Sequence, residues 1–254
     1  MPEMYVAREA VVPIRGNAAE SAEMVSQVLF GEALEKLEEE GNWYKVKMLS
    51  DGYEGWVNPR MLLPIDQKEY EAYENWQYVL EGSLMLDDGG HMRLPLGVKI
   101  PVSSGQSAFD MAGHRWSMSE SIRTIDIQEF DKRVDIARYF FNIPYLWGGR
   151  SGFGIDCSGF SQMVYAMCGV SIPRDSSQQA KEGKTIPFGE HQPGDLAFFA
   201  KPQQSRVTHV GILIHLDHIL HASGRVRKDR FEESGIIDID SNQLTHKLII
   251  IKRW

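Results

Sequence analysis

The stretch YLWGGRSGFGIDCSGF, Tyr145–Phe160, joins a glycine-rich loop to the predicted start of a helix. Cys157 follows the loop directly, and a thiol at a helix N-terminus lies beside unpaired backbone N–H groups and the positive end of the helix dipole. Both features favour the thiolate, which is the nucleophilic form. The pattern therefore predicts a nucleophilic cysteine. A helix is predicted because apolar residues recur at helical spacing on one face, namely Phe160, Met163, Val164, Met167 and Cys168.

Cys168, the second cysteine of the chain, provides an internal comparison. It lies eleven residues after Cys157, about 16 Å further along the same predicted helix. A disulfide requires Cα atoms within about 7 Å, so the two cysteines cannot pair. Cys168 continues the apolar face and is predicted to be a core residue, and Gly169 follows it where a helix commonly ends on glycine.

Four of the eight histidines fall within 13 residues, at His209, His215, His218 and His221. His209 lies on the more polar face of a predicted strand, and twelve positions, an even number, separate it from His221 across a turn near Leu216–Asp217. In a hairpin the two side chains would share a face. We therefore expect His209 to act as a base that His221 orients. The alternative is a metal site of His215, His218 and His221, although a repeat of every third residue suits a helix better than a hairpin.

Composition limits the class of protein. The chain has 254 residues, of which 43% are hydrophobic and 24% charged, which is typical of folded proteins with one to three domains. A net charge of −8 without a Lys/Arg run disfavours binding to nucleic acid or to anionic membranes. Two cysteines are too few for a disulfide scaffold or a zinc module of the usual spacing. The sequence predicts no cofactor and no metal.

The N-terminal segment MPEMYVAREAVVPIRG lacks the apolar core of a signal peptide. No window approaches 18 uninterrupted apolar residues, so no membrane span is predicted. We expect a cytoplasmic protein, or a periplasmic or secreted one if a leader has been removed.

The first 125 residues read as short strands separated by the turn signals RGN, EEEGN and SDG. The strands of the first half are predicted at Tyr5–Pro13, Gln27–Leu37, Trp43–Met48 and Gly55–Val57. A charged segment, Asp66–Asn75, is predicted to be a linker or a short helix. The strands of the second half, which contains a turn at Asp87–Gly90, are predicted at Trp76–Leu86, Met92–Pro95, Val98–Val102 and Ser107–Trp116. This density of strands predicts two small barrels.

The pattern changes near residue 126. Ile127–Asn142 carries apolar residues near helical spacing, and Pro144 is expected to end this helix. Beyond the Cys157 helix, strands are predicted at Asp195–Ala200, Val207–His215, Ile219–Ser223 and Leu248–Lys252. Helices followed by antiparallel strands indicate an α+β domain. We therefore expect three domains, at residues 1–65, 66–125 and 126–254.

Five motifs in this order resemble the NlpC-type cell-wall cysteine peptidases, which are papain-like enzymes. They are YLWGGRSGFGIDCSGF, PRDSSQQ (Pro173–Gln179), PGDLAFF (Pro193–Phe199), THVGI (Thr208–Ile212) and LHASG (Leu220–Gly224). Two earlier segments, EMVSQVLFGE and DGYEGWV, resemble the first of two bacterial SH3-like domains in one subgroup, the γ-D-glutamyl-L-diamino-acid endopeptidases, also called dipeptidyl-peptidase VI-like. The resemblance implies two small all-β SH3-like barrels followed by an α+β papain-like domain. The sequence departs from the family at His215–His218, where HLDH replaces a glycine-rich turn.

The resemblance also implies roles for individual residues. Cys157 would be the nucleophile, His209 the base, His221 the third polar residue and Tyr145 a hydroxyl near the oxyanion. The residues implied to line the substrate groove, with Arg174 countering the negative charge of the substrate, are Trp147, Asp156, Ser158, Arg174, Asp175 and Ser176.

In the subgroup, a Glu and a Tyr of the first SH3-like domain bind the free amine of an N-terminal L-Ala. The matching residues here are Glu23 and Tyr53, with Glu20 or Glu32 as alternatives to Glu23. A carboxylate at this position would form a charge-assisted hydrogen bond to an ammonium group. An enzyme of this kind would accept only peptides with a free N-terminus.

The implied reaction is hydrolysis of the γ-D-glutamyl–diamino acid bond in murein stem peptides, which releases L-Ala-γ-D-Glu for recycling. The expected partners are these peptides, and either meso-diaminopimelate or L-lysine fits the leaving side. One alternative is a D,L-endopeptidase or amidase that trims intact wall and uses its SH3-like domains to bind wall. The other is a non-catalytic wall-binding protein.

Overall fold

The computed structural model describes residues 3–86, 89–103, 105–125 and 132–254. The chain divides into two compact units. The N-terminal unit comprises Met1–Ile127 with Ser151–Phe153, and the C-terminal unit comprises Gln128–Arg150 with Gly154–Trp254. Within the described ranges, no helix is long and apolar enough to cross a membrane.

A seven-stranded antiparallel sheet forms the first part of the N-terminal unit. Its strands are β1 (Met4–Ala7), β2 (Val11–Arg15), β3 (Met24–Leu29), β4 (Ala33–Glu40), β5 (Trp43–Met48), β6 (Glu54–Val57) and β7 (Leu62–Pro64), with a 3₁₀ helix at Pro59–Met61. The strand order is β3-β2-β6-β5-β4-β1-β7. The sheet encloses one apolar cluster whose members include Val12, Leu34, Val46 and Val57. Burial of these branched side chains is the main stabilising contribution to this layer.

Two smaller sheets follow the short helix α1 (Gln67–Glu71), which Asp66 caps by accepting from the Lys68 N–H. Their strands are β8 (Trp76–Glu81), β9 (Ser83–Met85), β10 (His91–Arg93), β11 (Lys99–Pro101), β12 (Ala108–Met111), β13 (His114–Met118) and β14 (Arg123–Ile125). The orders are β10-β9-β13-β12 and β11-β8-β14.

The predicted strands of this unit lie where the sequence placed them, but several are split. The predicted strand Gln27–Leu37 becomes β3 and β4 because the chain turns at Gly31, whose φ is +76°. Trp43–Met48 is confirmed without change. The turn at Asp87–Gly90 lies partly outside the described residues, as does the predicted boundary near residue 126. The division into three domains stays a prediction.

A curled antiparallel sheet dominates the C-terminal unit. Its strands are β17 (Lys184–Ile186), β18 (Leu196–Ala200), β19 (His209–His215), β20 (His218–Ser223), β21 (Arg225–Glu232), β22 (Gly235–Ile237) and β23 (Leu244–Arg253). The order is β17-β23-β18-β19-β20-β21-β22, and β22 also pairs with β23. This last pairing closes six strands into a barrel. Its core includes Leu213, Ile219 and Phe231.

Among its described residues, this unit also contains three helices and a short two-stranded ribbon. They are α2 (Arg133–Tyr139), β15 (Arg150–Ser151), β16 (Gly154–Ile155), α3 (Cys157–Met167) and α4 (Ser176–Gln179). Helix α3 packs against β19, β20 and α2. The predicted apolar face of α3 is confirmed, since all five of its members are buried. Gly169 has φ +80° and ends the helix as expected.

The helix predicted at Ile127–Asn142 is shorter in the structure. Residues 127–131 lie outside the described residues, and α2 ends at Tyr139, five positions before Pro144. Asn142 has φ +66°, a conformation that a helix cannot contain, so the chain leaves the helix before the proline. Phe141, an apolar residue within the predicted helix, is 48% exposed because it follows the end of the helix.

A close backbone approach fixes the start of α3 against the glycine-rich loop. A Cβ atom on Gly159 would lie 2.2 Å from the carbonyl oxygen of Gly149. A Cβ on Gly149 would lie 2.4 Å from the carbonyl oxygen of Gly154. The loop and the first turn of α3 therefore pack at a distance that only glycine permits.

Gly159→Ala is expected to lower the free energy of unfolding by about 1–3 kcal/mol, because a methyl group has no room at this contact. The direction of this change is informative. Without such a contact, replacing a helical glycine by alanine normally raises the free energy of unfolding by about 1 kcal/mol. Urea denaturation measures the change. Gly16→Ala is the control, because its Cβ would meet Val25 at 3.4 Å, an acceptable distance. A more stable Gly159→Ala variant would contradict the packing.

Candidate active site

Cys157 is the first residue of α3 and is only 7% exposed. The backbone N–H groups of Val210 and Ser158 form hydrogen bonds to its sulfur. Val210 directly follows His209, so the start of α3 meets the start of β19 at the sulfur atom. The structure thus brings the predicted nucleophile to the strand that carries the predicted base.

The expected thiolate is not the favoured form of Cys157 in this setting. Burial raises the pKa of the thiol to about 12, and the Asp156 carboxylate next to it adds to the shift. The hydrogen bonds from Val210 and Ser158 act in the opposite direction but are outweighed. The sequence argument considered only the helix terminus and omitted the cost of burying a charge.

His209 and His221 meet as the hairpin pattern predicted. His209 Nε2 lies 2.8 Å from His221 Nδ1, and the ring centroids are 5.0 Å apart. Gly211 pairs directly with His221 across the hairpin, and a Cβ there would lie 2.9 Å from the Cβ of His221. Glycine at 211 therefore makes room for the second imidazole. Both histidines are buried, at 6% and 1% exposed.

Asp229 extends this pair, and the sequence analysis missed it. Its Oδ2 lies 2.8 Å from His221 Nε2, and the residue is 1% exposed. Burial alone would raise the pKa of this carboxyl, but hydrogen bonds from His221 and the Ile239 N–H, together with the charge of Arg227, hold it below its usual value. The structure thus contains a buried row of His209, His221 and an ionised Asp229.

Hydrogen-bond partners assign the protons in this row. A carboxylate only accepts, so His221 Nε2 donates to Asp229. The Nδ1 atom of His221 then serves as the acceptor for a proton on His209 Nε2. Burial and the neighbouring His221 and His246 lower the pKa of His209 well below its usual value. His209 is therefore neutral at pH 7, with its lone pair on Nδ1.

His246 on β23 is a further group that the sequence did not reveal. Its ring stacks on His209 with centroids 4.2 Å apart and an interplanar angle of 25°. Burial lowers its pKa to about 4, and the nearby His221 adds to the effect. His246 is thus a neutral flat surface against the base, which restricts rotation of the His209 ring.

The even spacing of residues explains why these groups share one compartment. Along a strand, alternate side chains point to the same face. His209 shares a face with Leu213, His221 with Ile219, and Asp229 with Phe231. Leu213, Ile219 and Phe231 belong to the barrel core. The polar row therefore lies at one end of the barrel interior with an apolar floor beneath it.

Three residues predicted to line the groove, Asp156, Ser158 and Arg174, form a buried hydrogen-bonded cluster, and their contact with substrate stays a prediction. Arg174 is 2% exposed, and its two terminal nitrogens lie 3.0 and 2.6 Å from the Asp156 carboxylate oxygens. Asp156 also caps α3 through the Gly159 N–H at 2.7 Å and accepts from the Gly148 N–H at 2.9 Å. Arg174 donates to Ser158 Oγ at 3.0 Å.

A role of Arg174 in countering the charge of the substrate stays a prediction. In the structure its charge is neutralised by Asp156 in a buried bidentate pair. The pair fixes the loop and the first turn of α3, and through them the position of Cys157. Removal of one partner of such a buried pair typically costs about 3–5 kcal/mol.

The predicted residues Trp147, Asp175 and Ser176 do line a groove on the C-terminal unit, and His209 and His246 form part of its wall. Trp147 is 61% exposed and presents its ring as an apolar surface. Two exposed cations that the sequence analysis did not single out, Lys201 and Arg206, also line the groove. They lie in the segment between β18 and β19, which carries no strand or helix pattern.

Tyr145 lies close to the nucleophile. Its backbone N–H donates to the Gly224 carbonyl at 3.0 Å. Burial raises the pKa of its hydroxyl, and the nearby Cys157 adds to the rise. Tyr145 is therefore a neutral hydroxyl donor at physiological pH. Its role near the oxyanion stays a prediction.

Glu23 and Tyr53 lie in loops that flank strands of the first sheet of the N-terminal unit. Glu23 is exposed immediately before β3, and Tyr53 is half-buried against the apolar cluster of that sheet. Of the alternatives, Glu20 lies 3.9 Å from Arg15, and Glu32 accepts from the Leu29 N–H at 2.8 Å. Their roles in substrate binding stay predictions.

The alternative metal trio His215, His218 and His221 does not assemble. His221 has both ring nitrogens in hydrogen bonds, to His209 and Asp229. His215 and His218 lie at the far end of the hairpin and share a different partner, Asp217.

Comparison with known proteins agrees with this geometry. The NlpC/P60 family profile matches residues 142–244, and the profile of the bacterial dipeptidyl-peptidase SH3 domain matches residues 14–62. The chain is 29% identical over 213 residues to the Gamma-D-glutamyl-L-lysine dipeptidyl-peptidase of Bacillus subtilis (strain 168), covering 78% of this chain and 71% of the relative. It is 30% identical over 224 residues to the Gamma-D-glutamyl-L-lysine dipeptidyl-peptidase of Bacillus cereus (strain ATCC 10987 / NRS 248), covering 78% and 66%.

The same architecture occurs in a solved structure. The crystal structure of an NlpC/P60 family protein from Bacillus cereus ATCC 10987 superposes with a TM-score of 0.81, covers 99% of both chains and is 19% identical. A likeness at this identity shows a shared fold, with an SH3-like domain ahead of a papain-like one.

A cysteine at a helix start, beside a histidine row at one end of a six-stranded antiparallel barrel, defines a papain-like cysteine peptidase. The domain profiles and the relatives then identify the group: the chain belongs to the NlpC/P60 family and carries a bacterial dipeptidyl-peptidase SH3 domain before its catalytic domain.

The reaction of Cys157 with iodoacetamide is expected to accelerate steadily from about pH 6 to about pH 10. Its pKa is raised, so the thiol is protonated at neutral pH, and the thiolate fraction grows about tenfold per pH unit. Mass spectrometry of a Cys168→Ala background measures Cys157 alone. A rate that levels off below about pH 7 would indicate a preformed thiolate–imidazolium pair and contradict the neutral site.

Asp229→Asn is expected to lower kcat about 10- to 100-fold with little change in KM, because it reverses the protons in the histidine row. Arg227 and the Ile239 N–H both donate to Oδ1, so the new amide oxygen stays there and the NH₂ faces His221. His221 then protonates on Nδ1, and His209 loses its lone pair on Nδ1. Steady-state kinetics with a murein tripeptide measures the effect.

Asp240→Asn is the matched control for this variant. Asp240 pairs with Arg227 at 2.9 Å and is 76% exposed, and it lies outside the histidine row. The control should retain wild-type kcat. Equal losses in both variants would show that Asp229 acts only through the fold.

Proposed function

We propose that this protein is a cysteine endopeptidase that hydrolyses the γ-D-glutamyl–diamino acid bond of murein peptides with a free N-terminal L-Ala, releasing L-Ala-γ-D-Glu. The observation that carries the proposal is the match along 78% of the chain to two relatives named Gamma-D-glutamyl-L-lysine dipeptidyl-peptidase. The SH3 profile at residues 14–62 bears the name of the same class of enzyme. A role in cytoplasmic recycling of these peptides belongs to the proposal.

The first half of the reaction forms a thioester. His209 Nδ1 takes the proton of Cys157 as the sulfur attacks the γ-carbonyl carbon of D-Glu. The Tyr145 hydroxyl and a backbone N–H at the start of α3 stabilise the oxyanion, and such donors contribute about 3–4 kcal/mol each. His209 then gives the proton to the departing amine of the diamino acid, and the C–N bond breaks.

The second half hydrolyses the thioester. His209, again neutral, takes a proton from water as the water oxygen attacks the thioester carbon. The C–S bond breaks, the proton returns to Cys157, and L-Ala-γ-D-Glu leaves. His221 and Asp229 stabilise His209 during the moments when it is an imidazolium, since Asp229 supplies the negative charge at the other end of the row.

The negative charge of the substrate calls for a cation other than Arg174, which is bound to Asp156. Lys201 and Arg206 line the groove beside His209 and are exposed. In this proposal they attract the carboxylates of the peptide, and Asp175 and Ser176 fix its orientation through hydrogen bonds. Trp147 packs against its apolar atoms.

Selection for a free N-terminus is the part of the proposal that separates it from the nearest rival. A D,L-endopeptidase or amidase acting on intact wall must accept an acylated L-Ala. The proposed enzyme binds the L-Ala ammonium through Glu23 and Tyr53. Acylation of that amine should therefore slow cleavage by the proposed enzyme but not by the wall-trimming rival.

N-acetylation of L-Ala-γ-D-Glu-L-Lys is expected to lower kcat/KM about 10- to 100-fold, the loss typical of one hydrogen bond to a charged group. Liquid chromatography of the released dipeptide measures cleavage of both peptides. Glu23→Gln should reduce the preference for the free amine, whereas Glu20→Gln should leave it unchanged. Equal cleavage of free and acetylated peptides would support the wall-trimming rival.

Arg206→Gln and Lys201→Gln are each expected to raise KM about 2- to 5-fold, because exposed charge pairs contribute modestly. The effect should shrink as the salt concentration rises, since exposed charges are screened. Lys181→Gln is the control: Lys181 is exposed on the same unit but does not line the groove. An unchanged KM in both groove variants would remove these cations from the proposal.

A further inference from the structure

The turn that joins β19 to β20 carries a second cluster of chemical interest, His215, Asp217 and His218. His215 ends β19 and His218 begins β20, so the two imidazoles flank the turn. His215 Nδ1 lies 2.5 Å and His218 Nδ1 2.7 Å from the same oxygen, Asp217 Oδ1. The donor atoms of the three residues all lie within 4.8 Å of one another.

The backbone of this turn is held in place from two sides. The Leu216 carbonyl accepts from His191 Nε2 at 2.8 Å, and the Asp217 carbonyl accepts from the Phe231 N–H at 2.8 Å. His191 itself is 4% exposed. The three side chains therefore project from a backbone that hydrogen bonds hold in place. The strand pairing next to the turn has a register shift between Leu213 and His215.

Two imidazole nitrogens and one carboxylate on one side of a turn form a donor set for metals of intermediate softness. Imidazole suits Zn²⁺, Cu²⁺ and Ni²⁺, whereas Mg²⁺ and Ca²⁺ prefer oxygen ligands alone. Two donors at about 2.1 Å from an ion, at tetrahedral or octahedral angles, are about 3.0–3.4 Å apart. Each imidazole therefore has to move back by less than about 1 Å to admit an ion.

The side chains have room for that movement. The side chains of His215 and Asp217 are 68% and 65% exposed, and that of His218 is 29% exposed. We propose that His215, Asp217 and His218 form a binding site for a divalent transition-metal ion such as Zn²⁺, with water in the remaining coordination positions.

The site is separate from the peptide chemistry. His215 lies six residues beyond His209 on the same strand, which is about 20 Å along an extended chain. A bound ion would instead link the end of β19 to the start of β20. These are the strands that carry His209 and His221, so the ion would fix the far end of the catalytic hairpin.

Zn²⁺ binding to the full chain tests the proposal through competition with a colorimetric chelator. A Cys157→Ala background prevents the catalytic thiol from acting as a ligand, and the variants of the turn then show whether the measured ion is bound there. We expect one Zn²⁺ per chain, and we expect His215→Asn, Asp217→Asn and His218→Asn each to weaken binding about 10- to 100-fold. His114→Asn, which removes an exposed histidine elsewhere, should bind like its parent.

Co²⁺ gives a second readout that does not depend on turnover. Its visible spectrum should show nitrogen and oxygen coordination without a thiolate charge-transfer band, and it should be lost in His215→Asn. Thermal unfolding should shift upward with Zn²⁺ in the parent but not in His215→Asn. The proposal is overturned if the parent binds no Zn²⁺ or if His215→Asn binds as the parent does. None of these outcomes bears on the peptidase proposal.

Discussion

The site depends on the hydrogen-bond row from Asp229 through His221 to His209. A buried carboxylate is unfavourable unless several donors satisfy it, and Asp229 receives them from His221, Arg227 and the Ile239 N–H. Because the carboxylate can only accept, it determines the tautomer of His221, and His221 determines that of His209. Asp229 thus determines, through His221, which nitrogen of His209 accepts the proton of Cys157.

The barrel provides the geometry that this row requires. Adjacent strands lie about 4.8 Å apart, so residues on β19, β20 and β21 come within hydrogen-bond reach only when their registers agree. The pairing of Gly211 with His221 and of His221 with Arg227 supplies that agreement. The apolar floor beneath the row excludes water, which strengthens the polar contacts and keeps both the thiol and the imidazole neutral before substrate binds.

A second buried contact, between Asp156 and Arg174, places the nucleophile against this row. Asp156 joins the glycine-rich loop, the first turn of α3 and Arg174 in one network. Gly149 and Gly159 allow the loop and the helix to approach closely. The two networks have different roles, since one positions Cys157 and the other determines which nitrogen of His209 receives its proton.

The sequence predicted those parts of the site that lie within one helix or one hairpin. The helix at Cys157 and the hairpin of His209 and His221 follow from apolar spacing and even separation. Asp229 escaped prediction because β21, RVRKDRFE, is rich in charge and does not read as a buried strand, although five of its eight residues are wholly or partly buried. His246 reaches His209 only through strand pairing across the barrel. The thiolate expectation failed because burial, a tertiary effect, outweighs the helix terminus.

The account's central claim is that His209 is neutral and carries its lone pair on Nδ1, because Asp229 holds His221 in the matching tautomer. Nitrogen-15 NMR of the histidine side chains in the substrate-free protein at pH 7 tests this directly. The account predicts that His209 is neutral and that both His209 and His221 carry a proton on Nε2. A protonated Nδ1 on His209, or an imidazolium at that residue, would contradict it.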